Sequence, residues 1–244
     1  MITRGLRVTR LALHLLQGML TIAMLFPFYS ETRRNSAVKR WSHLLLRMLG
    51  VVLHVHGKPP RAHAQPAMLV ANHVSWLDIY AINAVLPVRF VAKSEISAWP
   101  VIGWLSAKTG TLFIERARRR DTVRIIGEIV AAMQRGEVVT VFPEGTTTDG
   151  SKVLRFHGSL LQPALQAQAR VHPVALRYER SDGSLCVEAA YDGDKSLWDT
   201  LQSIIARPVT HVHVWFLQPL PTDATDRRAL ADLAHRAIAD RLKP

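Results

Sequence analysis

The stretch AMLVANHVSWLD, Ala67 to Asp78, runs from unbroken apolar residues through an asparagine and a histidine to an aspartate five residues beyond the histidine. A short continuous apolar run reads as a strand buried on both faces, and a helix is predicted from about Ser75 through WLDIYAINAVL. If His73 and Asp78 both lay inside one helix, they would point about 140° apart and could not meet. They meet only if His73 stays in the turn and Asp78 reaches back from the first helical turn. The carboxylate then fixes the imidazole tautomer, and the other ring nitrogen is free to take a proton from a hydroxyl. The same spacing has a plainer reading. Ser75 and Asp78 match a capping box, with His73 a partly buried turn residue.

Outward from this stretch, strand and helix patterns alternate. VRFVAK is a second strand, TGTLFIER contains a third, and EVVTVFP is another buried run. DTVRIIGEIVAAMQRG predicts an amphipathic helix with Asp121 as its N-cap and Gly136 as its stop. HGSLLQPALQAQA reads as a helix and VHPVALRYE as a strand. SLCVEAAY and THVHVWFLQPL read as late strands around the helix SLWDTLQSII, and TDRRALADLAHRAIADRL closes the chain as a helix. The expected fold is α/β, a largely parallel sheet flanked by helices, with sites gathered beyond the carboxyl ends of the strands. GKPPRAHAQP marks a boundary, dividing an N-terminal segment, residues 1–57, from an α/β domain, residues 58–244.

Composition narrows the function. The 244 residues, 48% of them hydrophobic, suit one large domain with an appendage. The lone Cys186 excludes an internal disulfide and any multi-cysteine metal site, and points to a reducing compartment. A net charge of +12 calls for a polyanion, nucleic acid or an acidic membrane surface. Nine basic residues fall in residues 1–60 against Glu31 alone, and they flank the apolar run from Leu11 to Tyr29. That arrangement favours a membrane surface over nucleic acid. The run is just long enough to span a bilayer, but His14, Gln17 and Gly18 interrupt it and Pro27 ends it early. Basic residues on both flanks suit a segment that dips into one leaflet or lies along it, continued by an amphipathic helix through Trp41, Leu44, Leu45, Met48 and Leu49. A buried pair of N-terminal helices is the plainer alternative.

Three further stretches place polar or special residues at strand ends: GTLFIER, FPEGTTTDG and HPVAL. No G-x-S-x-G elbow is present, which argues against a serine hydrolase. The pairs His54/His56 and His211/His213 alternate on strands but lack spaced carboxylate partners, so no metal is expected.

In this order, NHVSWLD, GTLFIER, FPEGT and HPVAL resemble the four blocks of the glycerolipid acyltransferase family, best known for its lysophosphatidic acid acyltransferases. The resemblance runs from about Ala67 to Leu176. It implies an O-acyltransferase that moves a fatty acyl group from acyl carrier protein or CoA to the free hydroxyl of a lysolipid, most simply 1-acyl-sn-glycerol-3-phosphate. It implies catalysis by His73 and Asp78, and no cofactor. Arg116 would bind the anionic head group, and Gly110, Glu144, Gly145, Thr146 and Pro173 would complete the substrate site. The implied partners are membrane lipids and the acyl carrier, not nucleic acid, at the cytoplasmic face of the inner membrane. One departure stands out. Many family members have arginine directly after EGT, where this chain has Thr147, and relatives that acylate lyso-ornithine lipid are similar at GTTTDG. A lyso-ornithine lipid acyltransferase is therefore the alternative reading. A thioesterase or lysophospholipase and a non-enzymatic scaffold for anionic lipid are the rival classes.

Overall fold

The computed structural model describes residues 2–114, 119–220, 222 and 226–243. Seven strands form one sheet in the order β1-β7-β6-β2-β5-β3-β4. They are β1 (Val51–His56), β2 (Ala67–Ala71), β3 (Arg89–Lys93), β4 (Leu112–Ile114), β5 (Val138–Val141), β6 (Arg170–Glu179) and β7 (Thr210–Phe216). Among the described strands, β6 and β7 pair antiparallel and the other neighbours pair parallel. The expected α/β fold with a largely parallel sheet is the one observed. β1 pairs with β7, so the sheet begins upstream of the boundary placed after residue 57.

Burial on both faces explains the unbroken apolar runs. Ala67, Leu69 and Ala71 of β2 face one layer of helices, α2 (Glu31–Met48), α3 (Leu77–Asn83) and α7 (Leu197–Ala206). Met68 and Val70 face the other layer, α5 (Arg119–Gln134), α6 (Gln162–Gln166) and α8 (Arg227–Leu242).

Four local expectations shift. The helix after β2 begins at Leu77 rather than Ser75, and the Val74 and Ser75 amides before it donate to the Asp78 carboxylate. Helix α5 begins at Arg119, so Asp121 lies inside its first turn instead of capping it. Pro163 divides HGSLLQPALQ into a 3-10 turn and the short α6, taking a first-turn position where its missing N–H costs nothing. SLCVEAAY is not a strand. Leu185 makes only an isolated bridge to Glu179, and Val187–Ala189 turns as 3-10 helix.

The N-terminal segment is a helical hairpin laid on the body. α1 (Ile2–Leu20) continues through a π turn, Thr21–Leu25, and a 3-10 turn, Phe26–Phe28, before α2 returns. Ser30 caps α2 by accepting from the Arg33 amide. The residues that interrupt the apolar run make the helix contact. His14 stacks on Trp41 at 4.5 Å, and the Trp41 indole N–H donates to the His14 carbonyl at 3.1 Å. A Cβ on Gly18 would come within 2.6 Å of the Trp41 indole nitrogen, so only glycine allows this approach. At the other end of α1, the Arg7 guanidinium donates to the carbonyls of Ile205 and Arg207. The stretch Gly5–Phe28 is long and apolar enough to cross a membrane, and 22% of its most apolar window is buried against the protein.

Candidate active site

The site is built at the carboxyl edge of the parallel strands, where β2 ends and the chain turns into α3. Asn72 closes the strand. Its side-chain amide donates to the Leu176 carbonyl and its oxygen accepts from the Leu176 amide, extending the β2/β6 ladder through a side chain. His73 follows in the turn, and its Nδ1 lies 2.8 Å from Asp78 Oδ2. That oxygen also accepts from the amides of Val74 at 2.8 Å and Ser75 at 2.9 Å. The other oxygen accepts from the Tyr178 hydroxyl at 2.7 Å. Asp78 is fully buried, and four donors compensate its lost hydration.

Only half of the capping box forms, since Asp78 accepts from the Ser75 amide while the Ser75 hydroxyl caps nothing. One carboxylate closes the turn and orients the imidazole. With Nδ1–H donated to the carboxylate, Nε2 carries the lone pair, and the ring keeps 20% of its surface exposed. Phe142 stacks on the ring at 4.0 Å and holds its plane. Burial and the adjacent carboxylate raise the Tyr178 pKa well above the ordinary tyrosine value, so this hydroxyl stays a donor.

Glu144 clasps two loops together. One oxygen accepts from the His73 amide and the other from the Leu154 amide, both at 2.7 Å. Burial pushes its pKa up to about 7 against the opposing pull of these amides. Its carboxylate is thus turned to the backbone, while Gly145, Thr146 and Thr147 line the open space. The amides of His73, Val74, Ser75 and Gly145 are all engaged within the protein, so none of them is free to hold an oxyanion.

That open space is a cavity of about 850 Å³ between the hairpin and the body. His73, Trp76 and Tyr80 form its floor side, with Phe142 and Thr146 from the turn after β5. Thr21, Ile22, Leu25 and Trp41 enclose it from the hairpin, and Trp99 and Ile102 from around α4 (Ile102–Lys108). Burial raises the Tyr80 hydroxyl to a pKa of about 12, which keeps it neutral. Arg40 and Lys93 add positive charge to the lining.

The other expected substrate residues are placed differently. Gly110 makes the left-handed turn from α4 to β4 with φ +89° and sits against Arg89, not on the cavity wall. Pro173 is buried within β6, opposite Val70 of β2, and its carbonyl accepts from the Leu217 amide at 3.0 Å. Arg116 lies outside the described residues. Thr147 donates its hydroxyl to the Tyr191 carbonyl, and the Tyr191 amide donates to the Val74 carbonyl, so this position ties a loop to the histidine turn. Asn72, Phe142 and Tyr178 had no assigned role from sequence. Asn72 and Phe142 each open a recognised block, NHVSWLD and FPEGT, whereas Tyr178 carries no local signal. Among the described residues no group of three or more His, Cys, Asp or Glu side chains could hold a metal ion.

Comparison with known proteins places this geometry in context. The Acyltransferase family model matches residues 52–177. The chain is 39% identical over 205 residues to the lyso-ornithine lipid O-acyltransferase of Pseudomonas aeruginosa, covering 84% of this chain and 78% of that one. It is 38% identical over 206 residues to a 1-acyl-sn-glycerol-3-phosphate acyltransferase of Neisseria meningitidis serogroup B, covering 84% and 80%. The crystal structure of the 1-acyl-sn-glycerophosphate acyltransferase PlsC from Thermotoga maritima shares the fold, with a TM-score of 0.69 at 20% identity over 98% of this chain and 96% of that one. With more than half its length matched by the family model, and such identity to relatives most of whose length it spans, the chain belongs to the Acyltransferase family.

Proposed function

We propose that this acyltransferase moves a fatty acyl group from an acyl carrier protein or CoA thioester to the free hydroxyl of a lysolipid, with His73 as general base. The observation that carries this reading is the His73–Asp78 pair at 2.8 Å, with Nε2 facing an apolar cavity large enough for an acyl chain. His73 Nε2 takes the hydroxyl proton as the oxygen attacks the thioester carbonyl. The tetrahedral intermediate collapses, the C–S bond breaks, and the imidazolium returns its proton to the departing thiolate. Asp78 holds the tautomer and stabilises the imidazolium, and no acyl-enzyme forms. The thioester is a substrate, so no cofactor takes part.

The first acceptor is 1-acyl-sn-glycerol-3-phosphate, whose phosphate suits the positive charge of Arg40 and Lys93 at the lining. Arg116 is assigned to the same head group on the family resemblance. The second acceptor is lyso-ornithine lipid, favoured by Thr147, which ties down the Tyr191 loop where many relatives present an arginine. The enzyme works at the cytoplasmic face of the inner membrane. Its α1–α2 hairpin lies in one leaflet, a reading supported by the bonds that tie Arg7 of α1 to the body and His14 of α1 to Trp41.

A competition assay tests the acceptor. Both lysolipids are offered in bicelles with one acyl thioester, with His73→Ala as the blank. Phosphatidate as the main product supports the first acceptor, and acylated ornithine lipid the second. Neither product above the blank would overturn the reading.

A further inference from the structure

We propose that the segment from Trp99 to Trp104 is a second membrane-inserted lip, so that the cavity opens sideways into one leaflet of a phospholipid bilayer between this lip and the N-terminal hairpin. The inference rests on the lysolipid reading for the cavity's use, but its geometry stands on separate residues.

The first observation is exposure. Trp99, Val101, Ile102 and Trp104 each leave more than a third of their surface uncovered, four large apolar groups within six positions. Scattered apolar exposure is ordinary, whereas a contiguous cluster marks an interaction surface. The second observation is continuity. Val101 and Trp104 share a shallow groove with Met19, Leu20 and Ala23, so the segment lies directly beside the outer face of the α1 stretch. On that face Leu13, Leu16, Leu20, Met24 and Phe28 are exposed in turn. The two surfaces form one apolar field.

Local backbone geometry fixes the presentation. A Cβ on Gly103 would come within 2.2 Å of the Ser97 carbonyl, so α4 is drawn tightly onto the turn before it. Val101 stands at φ +63° and ψ −57°, and the Ile102 amide donates to the Pro100 carbonyl at 2.6 Å, a γ-turn that a β-branched residue rarely takes. That turn sends Val101 and Trp104 outward, while Trp99, Ile102 and Leu105 line the cavity. The segment is therefore a thin wall with a lipid-like surface on both sides.

A bilayer fits this surface better than a protein partner. Indole rings favour the membrane interface, and along the chain these segments carry more basic than acidic residues: Arg33, Arg34, Lys39 and Arg40 on α2, Lys93 before the lip and Lys108 after it, against Glu31 and Glu95. Anionic lipid head groups complement that charge.

Depth-dependent fluorescence tests the lip without relying on catalysis. Val101→Cys, Met24→Cys and Asp182→Cys are each labelled with an environment-sensitive dye, the native Cys186 being buried. Each is bound to phosphatidylethanolamine/phosphatidylglycerol vesicles carrying a quencher on the acyl chains. The expected result is a blue shift and quenching at Val101 close to that at Met24 and several-fold above that at the exposed Asp182. Quenching at Met24 alone would overturn the lip and leave the hairpin reading standing. Quenching at neither would overturn both. As a second reading, Trp104→Glu lowers kcat/KM for bilayer-held lysolipid by about tenfold and Trp104→Phe preserves it. With a short-chain, water-soluble acceptor all three proteins perform alike. Equal loss on both acceptors would show that Trp104 supports the fold and not membrane entry.

Discussion

The turn after β2 and the N-terminal hairpin treat burial in opposite ways. In the turn, a fully buried carboxylate has four donors, and the amides of three successive residues are committed to side-chain acceptors. On the hairpin, large apolar side chains from Leu6 to Phe28 stand uncovered; α2 is anchored by Leu45 and Leu46 in the core, while α1 is held mainly by Arg7 and by the His14–Trp41 contact. The proposed general-base role of His73 requires the turn to hold one geometry, because a misplaced imidazole would forfeit it. The hairpin must hold a surface, which requires only composition and one docking face. Substitutions should therefore be costly and specific in the first region, and graded in the second.

The sharpest break comes from the pair itself. His73→Ala is expected to lower the rate of acyl transfer by about 10³–10⁴-fold, and to cost about 1–2 kcal/mol of stability because it removes one of the four donors to Asp78. Asp78→Asn keeps the base but favours its wrong tautomer, and should cost up to about 10⁴-fold. Steady-state rates beside melting curves check both. Retention of most activity by either variant would remove the turn's claim to precision.

Glu144 makes a pH prediction whose sign follows from its raised pKa. The folded protein holds the proton up to about pH 7, whereas the unfolded chain releases it near 4.5. Its contribution to stability is thus fullest below about pH 4.5 and declines as the pH rises to about 7. That difference amounts to about 3 kcal/mol. Glu144→Gln should flatten this part of the stability profile, as denaturant titrations between pH 4 and pH 8 would show. An unchanged slope would mean that other groups set it. Tyr178→Phe removes one of the four donors to Asp78 and should destabilise by about 2 kcal/mol, with kcat falling more than KM changes. The smallest effect belongs to the hairpin. Gly18→Ala forces Trp41 to move and should cost about 1 kcal/mol, with vesicle binding retained.

What the sequence disclosed follows the same division. His73 and Asp78 were legible because their relation is local: a strand end, a turn and a helix start fix it within six residues. The buried run of β2 was legible because burial on both faces leaves no polar residue to interrupt it, and β5 departs from that pattern only at the buried Thr140. Tyr178 was not, since it reaches Asp78 only through the pairing of β2 with β6, a hundred residues apart in the chain. Asn72 is a like case, its partner Leu176 also lying on β6. Pro173 and Glu144 belong to recognisable blocks, yet a block does not reveal whether a side chain meets solvent or the sheet. Pro173 lies within the sheet, and Glu144 faces two backbone amides. His14 and Gly18, which read as interruptions of an apolar run, are the contacts that seat the hairpin. Helix-to-helix contact of this kind has no signature in either segment taken alone.

The central claim is that His73 acts on the acceptor hydroxyl and that the acyl group never resides on the protein. Intact-mass analysis after rapid quenching tests it most directly. The enzyme is mixed with an isotopically labelled acyl thioester, with and without lysolipid, alongside His73→Ala. The account predicts an unmodified protein mass in every sample, with label in the diacyl product only when both lysolipid and His73 are present. An acylated protein that forms without lysolipid and is discharged when lysolipid is added would contradict it.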